Sequence, residues 1–248
     1  MNRERSSAVR QPSREQPVKA IEAEDAQVSS SDQVVDYVID GIFAGRLVPG
    51  QRLVEADLAR MLRVSRGPVR EAFRRLDALG AISRTMHRGA SVRALTRSEM
   101  VDFLAAIEPL AGYIAYLAAE QVSKLKRPSE VAAVEKILQP YRDGIEDPED
   151  VLRQRRHFYD SLVQIGGNSQ LASLLPSVRV HLVRLQMKSY LDPEDRPHHL
   201  QDYARIAKAV LDGSPREAEK ALRQHIRTSR ESTANLPDAA FPPVIDEP

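Results

Sequence analysis

Residues 58–80 read LARMLRVSRGPVREAFRRLDALG. Apolar residues recur at helical spacing on both sides of a Val-Ser pair, and arginines crowd the second half. Turning the chain by about 100° per residue from Arg66 gathers Val69, Ala72, Phe73, Leu76 and Leu79 into an arc of about 120°. Arg66, Arg70 and Arg74 fall on a separate, adjacent arc. Such a helix buries one face against a core and holds three guanidinium groups outward, where they suit phosphates and guanine edges in a major groove. Ser65 stands where an N-cap is needed, and Gly80 ends the pattern.

The flanking sequence fits around this helix. Upstream, residues 55–62 form a short helix joined to it by a turn through Arg63 and Val64. A first helix over residues 33–44 places Val34, Val35, Val38, Ile39 and Ile42 on one face, and Pro49-Gly50 marks a turn after it. Downstream, residues 82–84 and 90–92 alternate as two short strands joined by MHRG. Helix, turn, basic helix and hairpin make a winged helix-turn-helix over residues 32–95. Residues 33–95 carry eleven arginines, no lysine and six acids, a net charge of +5, whereas residues 96–233 balance to zero. A solvated basic helix is the ordinary explanation for arginine runs. Here the element order, the wing and the confined charge agree on a double-stranded DNA partner.

The remaining sequence bounds the architecture. The 248 residues contain no cysteine, which excludes disulfide frameworks, thiolate metal sites and cysteine nucleophiles. Residues 1–31 are polar and aperiodic and read as a disordered N-terminal arm; residues 234–248, with four prolines, read as a flexible tail. The start lacks an apolar run, and no later stretch reads as long and apolar enough to span a bilayer, so a cytoplasmic protein without a membrane partner is expected. TRSE at 96–99 is a capping-box pattern opening a second block. Pro and Gly signals divide that block into helices at about 97–124, 130–143, 148–166, 169–190, 198–212 and 215–233. The fold class is therefore mainly α: the winged domain followed by an all-α six-helix bundle over residues 96–233.

The run IFAGRLVPGQRLVEADLARMLRVSRGPVREAFRRLDALGAI, followed by RGASV, resembles the DNA-binding domain of the GntR family of bacterial transcription regulators. The resemblance implies that Arg66 and Arg70 contact DNA, that Ser65 contacts a phosphate or caps the helix, and that Arg88 and Gly89 at the wing tip reach the minor groove. Arg74 joins the candidate set, although it and Arg75 could instead be solvated or paired with Asp77 and Glu71. Some relatives carry an arginine where this chain has Ala56. Farther on, RHFYDSLVQIGGNSQLASLL and YARIAKAVLDGSPREAEKALRQHI resemble the FadR C-terminal (FCD) domain, and six helices resemble its VanR-type subgroup.

Many FCD domains hold a divalent metal at four positions that correspond here to Arg155, Tyr159, Tyr203 and His225. One imidazole beside a guanidinium makes a poor site for a dication, so no metal and no other cofactor is expected. Independently of the family, Arg155 falls in the middle of the apolar stripe Val151, Phe158, Leu162 and Ile165, with Tyr159 beside it. Tyr203 and His225 lie within the stripes of their own helices. A buried arginine needs an anion. Either Glu108 supplies it internally, or Arg155 binds the carboxylate of a small organic acid while Tyr159, Tyr203 and His225 orient hydrogen bonds. His181, at the edge of its helix's stripe, is a further candidate for the same pocket. Val180, Val183 and Met187 give that helix a second apolar face, so it is either central to the bundle or part of a subunit interface.

These features together indicate a homodimeric, ligand-responsive repressor with no catalytic residues. The alternatives are a constitutive DNA-binding scaffold with an internal ion pair, or a small-molecule enzyme using His225 with the tyrosines. The enzyme reading lacks a nucleophile, an oriented base and a phosphate-binding loop.

Overall fold

The computed structural model describes residues 29–85, 89–143, 151–174, 177–188, 190 and 196–242. In the N-terminal domain, α1 (Ser30–Phe43) starts after Ser29, whose hydroxyl accepts from the Asp32 amide at 3.1 Å. Helix α1 therefore begins inside the segment read as a disordered arm, because a serine N-cap lies outside any apolar pattern; residues 1–28 are not among those described. Helix α2 (Glu55–Leu62) ends at Arg63, the one non-glycine residue with positive φ (55°) among the described residues. Helix α3 (Arg66–Ala78) follows, with Val69, Ala72, Phe73 and Leu76 buried against α1 and α2. Leu79, placed on the buried arc from its spacing, is instead 51% exposed. It caps the end of α3, where Gly80, at φ 70°, reverses the chain.

The wing is a three-stranded antiparallel sheet in the order β1-β3-β2, with β1 at Arg52–Leu53, β2 at Ile82–Thr85 and β3 at Gly89–Val92. Ile82 pairs with Val92 and Thr85 with Gly89. Strand β1 escapes sequence reading because two residues carry no alternation. Gly89 opens β3 at φ 85°, a backbone that other L-residues enter only with strain.

The bundle starts with α4 (Arg97–Lys124). The capping box is formed: the Glu99 amide donates to Thr96 Oγ1 at 3.2 Å and the Thr96 amide to Glu99 Oε2 at 2.8 Å. Then follow α5 (Pro128–Arg142), α6 (Val151–Gly166), α7 (Ser169–Leu174), α8 (Ser177–Lys188), α9 (Arg196–Leu211) and α10 (Pro215–Ala234). Where one helix is expected over 169–190, the described residues hold the two segments α7 and α8, and the bundle has seven helical segments among the described residues. Helix α4 corrects a second expectation, since by length and composition it could cross a membrane. Its apolar side is buried instead, lying along α10 and against α6 and α9.

The expected flexible tail is also docked as far as it is described. Leu236 and Ala240 are buried, residues Asp238–Ala240 form a 3-10 turn, and Arg97 binds both the Ala234 carbonyl and Asp238 at 2.7 Å. Spaced apolar residues after the last helix, rather than a continuous stripe, supply this anchoring.

Helix α8 belongs to two cores. Val183 and Met187 pack into the bundle, whereas Val178 and Leu182 complete the core of the winged domain, with Leu182 fully buried. On the same helix Gln186 clamps the link between the domains, accepting from the Leu95 amide at 2.9 Å and donating to the Leu95 carbonyl at 2.8 Å. Its amide also reaches the Ala240 carbonyl. Both apolar faces of α8 are thus met within the chain, one by the bundle and one by the winged domain.

Candidate nucleic-acid interface and effector pocket

Helix α3 presents Arg66, Arg70 and Arg74 to solvent while its opposite side is buried. Arg66 has no hydrogen-bond or ion-pair partner among the described residues. Arg70 Nε meets Glu55 Oε2 at 3.0 Å, and Arg74 pairs with Glu71 one turn away. Arg75 reaches Asp32 on α1 at 2.5 Å, a partner outside the local spacing. Exposed pairs of this kind contribute about 0–1 kcal/mol, so a phosphate or base edge can displace them at little cost. Ser65 occupies the N-cap position of α3, but its side chain makes no capping hydrogen bond. Its hydroxyl is exposed beside Arg66 at the positive end of the helix, a place that suits a phosphate. Gly89 lies exposed at the start of β3, and Arg88 lies outside the described residues.

In the bundle, the four expected effector residues divide into two pairs. Tyr203 is fully buried, and its hydroxyl lies 3.3 Å from His225 Nε2. His225 Nδ1 in turn lies 2.9 Å from Asp202 Oδ2. Burial holds His225 at a pKa of about 4 despite Asp202, so the ring is neutral. A neutral ring that donates from Nδ1 to Asp202 accepts from the tyrosine at Nε2, and this closes a Tyr-His-Asp chain. The sequence reading missed Asp202, whose spacing of one and 23 residues from its partners spans two helices.

Arg155 and Tyr159 form the other pair. Arg155 Nε and the Tyr159 hydroxyl are buried without a hydrogen-bond partner among the described residues. The Arg155 guanidinium lies 5.7 Å from the centre of the Tyr203 ring. Burial, with the charge of Arg184 added, lowers its pKa; burial likewise raises that of Tyr159. Glu108, the expected internal counter-ion, is committed elsewhere. It accepts from Arg223 at 3.2 Å and Arg227 at 2.9 Å, with Arg230 at 3.8 Å. Although burial pushes Glu108 upward, those hydrogen bonds hold its carboxyl below the usual range. Arg223 and Arg227 sit four residues apart on α10 facing α4, so the pairing follows from helix packing that periodicity in one helix does not reveal.

His181 shares a cavity with Tyr159 but is engaged by the winged domain. It is 3% exposed, its Nε2 lies 3.1 Å from the Ile42 carbonyl at the end of α1, and its ring lies 4.8 Å from Phe43. Burial and the nearby Arg184 lower its pKa to about 4, so the neutral ring donates to that carbonyl.

Two cavities adjoin these residues. The larger, about 320 Å³, lies between Phe43 of the winged domain and α4, α6 and α8, and is bounded by Tyr159 and His181. The smaller, about 30 Å³, is lined by Arg155 and His225. Ile107, Val180 and Arg184 border both. Arg184, three residues after His181 on the same face of α8, is the element that sequence reading passed over.

The residues do not fit a divalent metal. Among those described, no three His, Asp or Glu side chains converge, and the position beside His225 is taken by a guanidinium.

An arginine-bearing helix on a winged domain, packed against an all-α body, has the architecture of a helix-turn-helix DNA-binding protein. Residues 30–92 match the family described as "Bacterial regulatory proteins, gntR family", and residues 99–228 match the FCD domain. The chain belongs to the GntR family, in the branch that carries an FCD domain, and it is a regulator and not an enzyme. It is 29% identical over 206 residues to the "Probable D-xylose utilization operon transcriptional repressor" of Paenarthrobacter nicotinovorans, covering 83% of this chain and 89% of that protein. To the "Nta operon transcriptional regulator" of Aminobacter aminovorans it is 26% identical over 180 residues, 72% of this chain and 82% of that one. Among solved structures, E. coli McbR/YncC shares the fold at TM-score 0.67 with 21% identity, over 84% of this chain and 98% of that one. A GntR regulator structure from Rhodococcus sp. RHA1 gives 0.65 at 25% identity, over 82% and 96%.

Proposed function

We infer that this regulator is a homodimeric repressor, working in the cytoplasm, whose bundle senses a small organic acid. The observation that carries the sensing role is the Arg155 side chain, part-buried on α6, whose buried Nε has no hydrogen-bond partner among the described residues and lies beside the buried hydroxyl of Tyr159. A cation held this way gains most from a ligand that brings the missing negative charge, and a carboxylate fits a guanidinium in two-point fashion. Glu108, committed to α10, is not the counter-ion of Arg155, which favours the sensing reading over a constitutive scaffold. Tyr203 and His225, joined to Asp202, fix the wall against which Arg155 lies, with His225 bordering the smaller space.

On the DNA side, Arg66, Arg70 and Arg74 read the major groove, Ser65 meets a phosphate, and Arg88 and Gly89 place the wing. Dimerisation follows from the limited affinity of one module, since helix-turn-helix proteins usually read two half-sites. Repression is supported by the printed name of the Paenarthrobacter relative. Titration calorimetry with a panel of mono- and dicarboxylates tests the sensing role. At least one acid should bind the parent protein and fail to bind Arg155→Met; a panel without a single binder would remove the carboxylate reading.

A further inference from the structure

The larger cavity has a wall from each domain. Phe43 belongs to α1 of the winged domain, whereas Ala111, Val163 and Val180 belong to the bundle. Two contacts tie Phe43 to this place: the His181 ring at 4.8 Å, and the Arg156 guanidinium 4.1 Å from its centre. Its volume of about 320 Å³ lies at the lower end of the range for small-molecule sites, roughly 300–1,000 Å³. The space beside Arg155, about 30 Å³, exceeds the ~10–15 Å³ that one water needs but has no room for a ligand body.

The charges facing the larger cavity are uneven. Asp160 is the one carboxylate in its lining, and it faces Arg156 at 3.6 Å. Arg184 has no ion-pair partner among the described residues, and its guanidinium lies 5.0 Å from the centre of the Tyr159 ring, at the border of the two spaces. His181 contributes a neutral ring whose Nε2 is engaged by Ile42. The cavity is thus apolar along its length and cationic where it meets the Arg155 space.

We propose that the effector is an amphiphilic carboxylate whose head lies between Arg184 and Arg155 and whose apolar body fills the interdomain cavity against Phe43. The inference rests on the carboxylate reading above and adds the ligand's shape and its contact with the winged domain. A ligand seated there touches α1 directly, so its binding energy differs between arrangements of the two domains, which regulation requires. Acids without an apolar body fill only the head site.

Octanoate and acetate serve as probes on the full-length protein. The chain contains no tryptophan, so Phe43→Trp introduces a single fluorophore into the cavity wall. Octanoate should bind the parent at least tenfold more tightly than acetate. It should shift the emission of Phe43→Trp with the same dissociation constant that calorimetry gives, while acetate leaves the emission unchanged. Val163→Phe, which fills the cavity, should weaken octanoate at least tenfold and acetate less than twofold. Equal affinity for the two acids, or octanoate binding without an emission change, would overturn this inference and leave the carboxylate reading standing. Failure of octanoate where another acid of the panel binds would overturn this inference alone, and a panel without a binder would overturn both.

Discussion

Replacing Arg155 by methionine should make the ligand-free protein more stable, the reverse of what most core substitutions do. A buried donor without a partner costs about 1–3 kcal/mol, and Arg155 Nε is one. Exchanging buried ionic groups for apolar ones of similar volume is often neutral or stabilising by ~1–4 kcal/mol. Methionine keeps the unbranched reach of the arginine stem and adapts to the space beside Tyr203 and Phe158. It also removes a positive charge that burial and Arg184 both oppose. The expected gain is about 1–3 kcal/mol, which at ~2–4 °C per kcal/mol is a rise of several degrees in Tm. Thermal unfolding followed by circular dichroism, after dialysis into chloride buffer, measures it. A drop of several degrees would refute the reasoning, because it would mean that the guanidinium already supports the fold without a ligand.

Three further outcomes follow from the geometry. Leu182→Ala removes a fully buried side chain that α8 lends to the winged domain, and should destabilise by about 2–5 kcal/mol, read by denaturant titration, although its helix lies in the bundle sequence. His225, neutral in the fold with a pKa of about 4 against ~6.5 when unfolded, takes up a proton more readily in the unfolded chain; stability is fully present above pH ~6.5 and falls by on the order of 3 kcal/mol as pH drops towards 4. His225→Gln should flatten that part of the Tm against pH curve, and an unchanged curve would count against the assignment. Arg70→Ala should weaken operator binding by about 1–3 kcal/mol and relax base preference, yet move stability by less than ~1 kcal/mol, since the Glu55 pair it breaks is exposed; fluorescence anisotropy on cognate and scrambled duplexes separates these effects.

The winged domain was legible because each of its decisions is local. The buried arc of α3, the turn at Arg63 and the glycine that starts β3 each show within a few residues of sequence. The bundle was legible as a set of helices but not as a packing arrangement. Glu108 looked like the mate of Arg155 because both sit on buried stripes; which helix faces Glu108 depends on α10 lying along α4, and that is set by the sum of many contacts. His181 and Arg184 show the same limit. Their roles arise where α8 meets α1, 139 residues apart for the His181–Ile42 contact, and no periodicity within α8 shows what its second face will meet.

The most direct test of the central claim, that α3 reads DNA, is selection of duplexes from a random pool by the full-length protein at low ionic strength, repeated with the Arg66→Ala, Arg70→Ala double variant. The parent should enrich a two-fold repeated motif whose half-sites lie one helical turn, about 34–36 Å, or a multiple of it apart, and the double variant should enrich nothing. No enrichment by the parent, or the same motif recovered with both arginines gone, would contradict the assignment of α3 as the reading helix.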